Sequence, residues 1–363
     1  LQPIALFDAV RVQQPYLLAM RAAFDSVLSA GHFVLGKSVS DFESQFAHWC
    51  GVEHAVGVGN GSDALELALR ALDVGVGARV LTVANAGAYA TTAIRACGAL
   101  PVYVEIDPDS LLMDADALAC ALKSAPAAVI VTHLYGRLAA IERIVADCAA
   151  RGIAVIEDCA QAHGAQRAGQ RAGSFAQIGC FSFYPTKNLG ALGDGGALIT
   201  RDAALAKRLR ALRQYGWTHK YQVDLPHGRN SRLDELQAAL LSVKLPGLDA
   251  DNQRRRSIAQ RFDAGIGHCE IRLPSGRAGL DDVVHLYVLL CPRRAALRAH
   301  LAECGVHSAV HYPLADYQQP AWRSAVHLPH TEQATAQVLS LPCHPALNDE
   351  EIARVINAVN SFV

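Results

Sequence analysis

The sequence predicts an α/β protein: a large domain on a mostly parallel, mixed sheet flanked by helices, followed by a smaller α+β C-terminal domain. Three observations predict it. Short β-rich runs alternate with helical stretches as far as GALIT, which is the pattern of βαβ units. Those runs are almost continuously apolar, as strands buried on both faces are. From about residue 250 onward the alternation changes character. The 363 residues suffice for two cores, drawn at 1–246 and 247–363, with the N-terminal segment expected to pack on the smaller one.

Residues 16–50 read as helical from the apolar spacing in YLLAMRAAFDSVL and SVSDFESQFAHWC. Ser40, with Glu43 three residues on, reads as a capping box. HAVGVGNGSDALELALRAL is a short strand, a glycine-containing turn and a helix opened by Ser62 and Asp63. The strands RVLTVAN, PVYVEID, AAVIVTHLY, IAVIED, IGCFSFY and GALIT follow. Between them lie the helical stretches TTAIRACGA, ADALACALKS and AIERIVADCAARG. A helix at ALAKRLRALRQYG precedes a polar loop and the helical NSRLDELQAALLSVKL, which Pro246 and Gly247 stop. The C-terminal part reads as a polar helix, the strand HLYVLLC, a helix near ALRAHLAECG, the segment VHSAVHYP and a last helix near DEEIARVINAVNSF.

Composition narrows the function classes. Hydrophobic residues make up 51% and charged residues 18%, which argues against wholesale disorder. A formal net charge of −1 gives no global field for nucleic acid or anionic membrane, so neither partner is expected. The run Arg254, Arg255, Arg256 reads as a solvated helix face. Ten cysteines at irregular spacing, with no C-x-x-C pair, read as reduced thiols in a cytoplasmic protein. Cys159 and Cys180 sit in apolar runs, where a thiol acts as a small hydrophobe. Cys343–His344 lacks the second cluster that a metal site needs, so no metal is expected. LQPIALFDAV has neither the basic start nor the long apolar stretch of a secretory signal. No apolar run approaches the ~20 residues that span a bilayer.

Ligands of a parallel sheet collect at the carboxyl ends of its strands, and three candidates sit there. Asp158 ends a buried strand in AVIEDCAQAHGA. It reads either as the cap of the next helix or as a carboxylate facing a cationic ring nitrogen. Lys187, in FSFYPTKNLGALGDGGA, follows an aromatic strand and precedes a glycine-rich turn. A lysine desolvated there has its pKa pushed down and acts as nucleophile and base. NGSDAL, residues 60–65, opens a helix and offers free N–H groups to one phosphate, with Gly61, Ser62 and Asp63 at the turn. Its G-x-G-x-G spacing is not a dinucleotide fingerprint, which disfavours a nicotinamide oxidoreductase. The order phosphate turn, acid, lysine supplies the parts pyridoxal phosphate needs: an anion cradle, a partner for the pyridine nitrogen and an amine for the aldehyde.

At this point the sequence resembles the DegT/StrS-type sugar aminotransferases, within the fold-type I pyridoxal 5'-phosphate (PLP) enzymes. The resemblance runs through NGSDALELAL, HLYGRLA, EDCAQAHGA, FSFYPTKNLGALGDGGALIT, NSRLDELQAA and HYPLADYQQPA, nearly the whole chain. It implies that Lys187 carries PLP as a Schiff base and later moves protons, and that Asp158 pairs with the pyridine nitrogen. It implies Gln161 near the ring hydroxyl, and Ser62, the Asp63 backbone and Ser182 on the phosphate. Asn230, in GRNSRLDE, resembles a residue that reaches the phosphate from a neighbouring subunit, which implies a homodimer with shared sites. One departure concerns the aromatic residue that stacks on the cofactor. In NAGAYATTA an ungapped comparison puts Ala88 at that position; a one-residue shift restores Tyr89, the residue taken here. The alternative for Tyr89 is an ordinary packed tyrosine. His311 and Tyr312 resemble substrate-side residues, although lone histidines are often structural.

The activity implied by the resemblance is transfer of an amino group from L-glutamate to a nucleotide-linked keto sugar, with a 3-keto sugar favoured over a 4-keto one by the NSRLDELQAA wording. Amination of a cyclitol ketone, or a PLP-binding sensor without turnover, remain as alternatives. The presence of Lys187 favours transamination over the dehydratases of the same family, which lack that lysine.

Overall fold

The computed structural model describes residues 2–275 and 279–363. Seven strands form the central sheet: β1 (His54–Val58), β2 (Arg79–Thr82), β3 (Leu100–Tyr103), β4 (Ala128–Thr132), β5 (Ala154–Asp158), β6 (Ile178–Ser182) and β7 (Gly196–Thr200). They lie in the order β1-β7-β6-β5-β4-β2-β3. β7 runs antiparallel to both neighbours, and the remaining pairs are parallel. The mostly parallel, mixed sheet expected from the sequence is therefore present, and every strand expected before residue 201 falls in it.

Period-two alternation divides the core between the two faces of the sheet. Ile130, Ile156 and Leu198 pack beneath helices Gly61–Ala71, Tyr89–Ala96 and Ala203–Leu212. Val129, Val131 and Val155 face the opposite layer, with helix Ile141–Ala149. Phe181 and Phe183 point into that second layer as well, against Phe42 and Phe46 of helix Lys37–Cys50. Ser182 is thereby turned to the other side.

Helix Lys37–Cys50 begins three residues before Ser40, with Gly36 at its N-cap, so the expected capping box does not form. Ser40 Oγ donates back to the Lys37 carbonyl at 2.9 Å. Glu235, about 200 residues away in sequence, accepts instead from the N–H groups of Gly36, Ser38 and Val39 at 2.7, 2.8 and 2.9 Å. Glu43 is buried, pairs with Arg213 and accepts the Gly57 N–H at 2.8 Å. The helix after β1 also starts earlier than expected: Asn60 is the cap, its side chain accepting the Asp63 N–H at 2.8 Å.

Pro246 and Gly247 end helix Glu235–Lys244 in a single 3-10 turn, and helix Leu248–Gly265 starts at once. Beyond it, β8 (Tyr287–Leu290) and β9 (Val338–Leu341) form an antiparallel pair flanked by helices Arg294–Glu303 and Asp349–Asn360. β9 and helix Pro329–Gln337 were not expected, because PHTEQATAQVLSL carries little amphipathic contrast. Ile4 belongs to the same apolar cluster and exchanges backbone hydrogen bonds with Gly305 and His307. None of the ten cysteines is in a disulfide, and Cys159 and Cys180 are buried. Among the described residues no helix is long and apolar enough to cross a membrane.

Candidate active site

A cavity of about 890 Å³ opens at the carboxyl ends of β4, β5 and β6. Gly61, Ser62, Asp63, Tyr89, Asp158, Gln161, Ser182, Lys187, His311 and Tyr312 all line it. Asn230, the remaining candidate, does not. It is exposed on the loop before helix Glu235–Lys244, paired through its backbone with Gln214.

The turn at residues 60–63 lies hard against the end of β6. A Cβ on Gly61 would stand 2.7 Å from Ser182 Cβ, so only glycine permits the approach. The free N–H groups at the start of helix Gly61–Ala71 and the Ser182 hydroxyl thus meet at one side of the cavity. Arg229 also reaches this wall and pairs with Asp63 at 3.1 Å and with Glu66.

Lys187 sits in the loop after β6. Its N–H donates to the Tyr184 carbonyl at 2.8 Å, which fixes a tight turn. Gly190 closes the loop; a Cβ there would come within 2.4 Å of the Pro185 oxygen. Among the described residues the Lys187 amine has no hydrogen-bond or ion-pair partner. Burial lowers its pKa to about 8, and the charge of Asp158 opposes that shift.

Asp158 ends β5. Its carboxylate accepts from Ala160 N–H at 3.1 Å and from the Thr132 hydroxyl at 3.2 Å. Burial pushes the carboxyl up from its ordinary value; the Ala160 N–H, the Lys187 charge and the Thr132 hydroxyl pull it back. It does not cap a following helix, because a turn rather than a helix comes next. Its neighbour Glu157 faces the other way. Glu157 accepts from the N–H groups of Gly173, Phe175 and Ala176, each at 2.8 Å, and lies 2.9 Å from His133 Nε2. His133 Nδ1 accepts the Ala139 N–H at 3.2 Å, so Nε2 carries the proton. Cys159 completes a His–Glu–Cys cluster of metal-ligand type, but the Glu157 and His133 donor atoms are already spent on these bonds.

Gln161 is held at both ends. Its oxygen accepts Tyr135 N–H at 2.7 Å and its Nε2 donates to Tyr312 Oη at 3.1 Å. Tyr312 meets Tyr89 edge to face, with ring centroids 6.0 Å apart. Tyr89 is 50% exposed, so it is not the packed tyrosine of the alternative reading. Ala88 is outside the cavity lining, whereas Tyr89 projects into it. His311 Nδ1 lies 2.9 Å from Ser340 Oγ. Burial and the Lys187 charge keep its pKa low.

Several residues in or next to the site were not singled out in the sequence, Thr132 and Arg229 among them. His285 and Arg255 line the cavity and are both buried. Arg255 therefore departs from the solvated face expected for residues 254–256. Its helix buries Leu248, Asn252, Arg255, Ala259 and Phe262, a regular helical stripe that carried the signal. Asp316, in HYPLADY, accepts Ala88 N–H at 3.0 Å and the Thr91 hydroxyl, and so caps helix Tyr89–Ala96 from a distant segment. Nothing in the local sequence announces it.

Comparison with known proteins fits this geometry. The family model of the DegT/DnrJ/EryC1/StrS aminotransferases matches residues 19–360. A dTDP-3-amino-3,6-dideoxy-alpha-D-galactopyranose transaminase of Aneurinibacillus thermoaerophilus is 43% identical over 99% of this chain and 99% of its own. A UDP-N-acetyl-3-dehydro-alpha-D-glucosamine 3-aminotransferase of Acidithiobacillus ferrooxidans is 40% identical over 92% of this chain and 90% of its own. The crystal structure of S. venezuelae DesV in complex with a ketimine intermediate superposes with a TM-score of 0.96 at 39% identity, covering 99% of this chain and 98% of that one. The chain belongs to the DegT/DnrJ/EryC1/StrS aminotransferase family, a family of PLP-dependent enzymes, and is a sugar aminotransferase.

Proposed function

We propose that this enzyme moves an amino group from L-glutamate to the C3 ketone of a nucleotide-linked deoxy sugar, with Lys187 and Asp158 as its catalytic residues. The observation that carries the proposal is the Lys187 amine: unpartnered among the described residues, lowered to about pKa 8, and sharing one cavity with an Asp158 carboxylate whose charge it feels. Relatives that make 3-amino sugars on dTDP or UDP support the substrate class.

The residues present fit PLP. The Gly61 turn and Ser182 form a cradle that a single added Cβ would fill, and the cradle faces the same cavity as the free amine. When bound, PLP supplies an aldehyde that captures amines and a ring that draws electrons from the adjoining bonds. Lys187 would hold it covalently through Nζ. Asp158 would keep the proton on the ring nitrogen, and Gln161 would stand at the ring hydroxyl. Ser62, the Asp63 backbone and Ser182 would hold the phosphate, joined by Asn230 of a second copy. Tyr89 would cover the ring face, with His311 and Tyr312 on the substrate side.

A lysine amine near pKa 8 is neutral in about one molecule in five at pH 7.4, against about one in a thousand at its ordinary 10.5. Lys187 Nζ can therefore take the α-proton of the amino donor, a role worth about 10²–10⁴-fold in rate. We also read residues 1–246 as the cofactor-binding domain and 247–363 as a smaller one; the shared cluster of Ile4 with β8 and β9 supports placing the N-terminal segment on the latter. Ten cysteines outside any disulfide support a reducing, cytoplasmic setting.

The test starts from the yellow holoenzyme. Glutamate alone should convert the bound cofactor to its amine form and release 2-oxoglutarate. A panel of 3-keto and 4-keto sugar nucleotides should then restore the yellow form only with the 3-keto members. Borohydride reduction should fix the cofactor to Lys187. Restoration by 4-keto sugars alone overturns the regiochemistry, and labelling of another lysine overturns the assignment of Lys187.

A further inference from the structure

Among the described residues three cationic side chains besides the histidines line the cavity: Lys187, Arg229 and Arg255. Arg229 is neutralised by Asp63 and Glu66. Arg255 has no such direct pair, and the charge of Asp251 acts on it only from beyond ion-pair distance. Arg255 is 3% exposed, and among the described residues no carboxylate pairs with it. Its Nη1 donates to the carbonyl oxygens of Cys343 at 2.6 Å, and of Val284 and His285 at 3.4 Å. Its Nε has no partner.

Arginine stays charged in a protein interior, and a buried charge without a counter-charge is strongly unfavourable. Such a group is kept where the missing anion arrives with a ligand. The bonds at Nη1 leave Nη2 without a partner among the described residues, while Nε is unpartnered but enclosed by protein. Nη2 is the group left to meet an anion, through a charge-assisted hydrogen bond.

His285 ties this site to Lys187. It lines the same cavity, and after burial itself the charges of Lys187 and Arg255 are the main causes that depress its pKa. Its protonation is fixed from behind. Asn252 Nδ2 donates to the His163 carbonyl, and Asn188 Nδ2 donates to Asn252 Oδ1 and the Val283 carbonyl. Asn188 Oδ1 must then accept from His285 Nδ1, 3.1 Å away. His285 is a neutral ring and adds no competing cation. The phosphate cradle, in turn, is at the Gly61 turn, with its own N–H groups.

We propose that Arg255 is the carboxylate anchor for the amino donor, its Nη2 donating to one carboxylate of a dicarboxylic amino acid whose amine faces Lys187. The inference rests on the amino-donor reading above. It adds the residue that selects the donor.

The experiment uses the holoenzyme and glutarate, a dicarboxylate with no amine to react. Calorimetry reads glutarate binding, and steady-state kinetics read the KM for glutamate. Arg255→Lys keeps the charge and loses the planar guanidinium; Arg255→Met loses both. The Lys variant should raise the glutarate Kd and the glutamate KM about tenfold or more. It should leave the cofactor absorbance and the KM for the sugar nucleotide unchanged. The Met variant should lose more, and the Lys variant carries the test if Met does not fold. Unchanged glutarate binding in folded Arg255→Lys overturns the anchor while leaving the amino-donor reading intact. A wild-type enzyme that neither binds glutarate nor accepts the amine of glutamate overturns both.

Discussion

Among the described residues Lys187 has no hydrogen-bond or ion-pair partner, and the charge of Asp158 offsets only part of its burial, which is a cost that the fold carries. The amine titrates near 8 in the folded protein and at its ordinary 10.5 when unfolded. Between those values the unfolded chain binds more protons, so stability rises with pH across that window. Below pH 8 the penalty is complete, at about 3 kcal/mol from the size of the shift, and above 10.5 it vanishes. We expect the cofactor-free enzyme to gain stability relative to Lys187→Met as pH rises from 7 to 10. Urea unfolding of both proteins at the two pH values checks this; parallel curves would sink it. Lys187 and Asp158 were legible in the sequence because each ends a strand or begins the loop after one. Arg255 was not, since its neighbours Arg254 and Arg256 hid a buried helical phase behind a run of charge.

Helix starts show why element boundaries were less legible than elements. Helix Lys37–Cys50 is capped by Glu235, helix Tyr89–Ala96 by Asp316, and the start of helix Pro329–Gln337 by Glu105, which accepts His330 and Thr331 N–H at 2.9 and 3.0 Å. Each cap comes from a distant segment, so the local S/T-x-x-E pattern at Ser40 pointed to the wrong residue. Asp316 matters most to the site, because the helix it caps begins with Tyr89. Burial raises its pKa to about 7, against the opposing Thr91 hydroxyl and Ala88 N–H. A raised carboxyl stabilises the fold below its ordinary value of 3.8, and that contribution is lost as pH rises through 7. Asp316→Asn, which keeps an acceptor and cannot ionise, should therefore flatten the fall in melting temperature between pH 4 and pH 8. Asp316→Ala should cost about 1 kcal/mol of stability as a lost cap. A pH profile of Asp316→Asn that follows the wild type shows that this carboxyl does not titrate in the window.

At the scale of the whole molecule, the cavity gathers chain segments from Leu6 to Cys343, yet one proposed ligand of the phosphate remains outside it. Asn230 is exposed and next to Arg229, which does reach the cavity wall. An exposed residue beside the mouth of one site is available to the site of a second copy, and a two-fold axis makes that exchange reciprocal. This arrangement has a consequence that a self-contained site does not share. Lys187→Ala and Asn230→Ala homodimers should each be impaired, the first completely. In a hybrid of the two, one site carries both lesions and the other carries neither. Random mixing puts half of the dimers in the hybrid form, so up to about a quarter of wild-type activity should return. Unfolding and refolding the two variants together, followed by assay, reads the result. If activity after mixing is only the average of the two parents, Asn230 serves its own chain or no site at all.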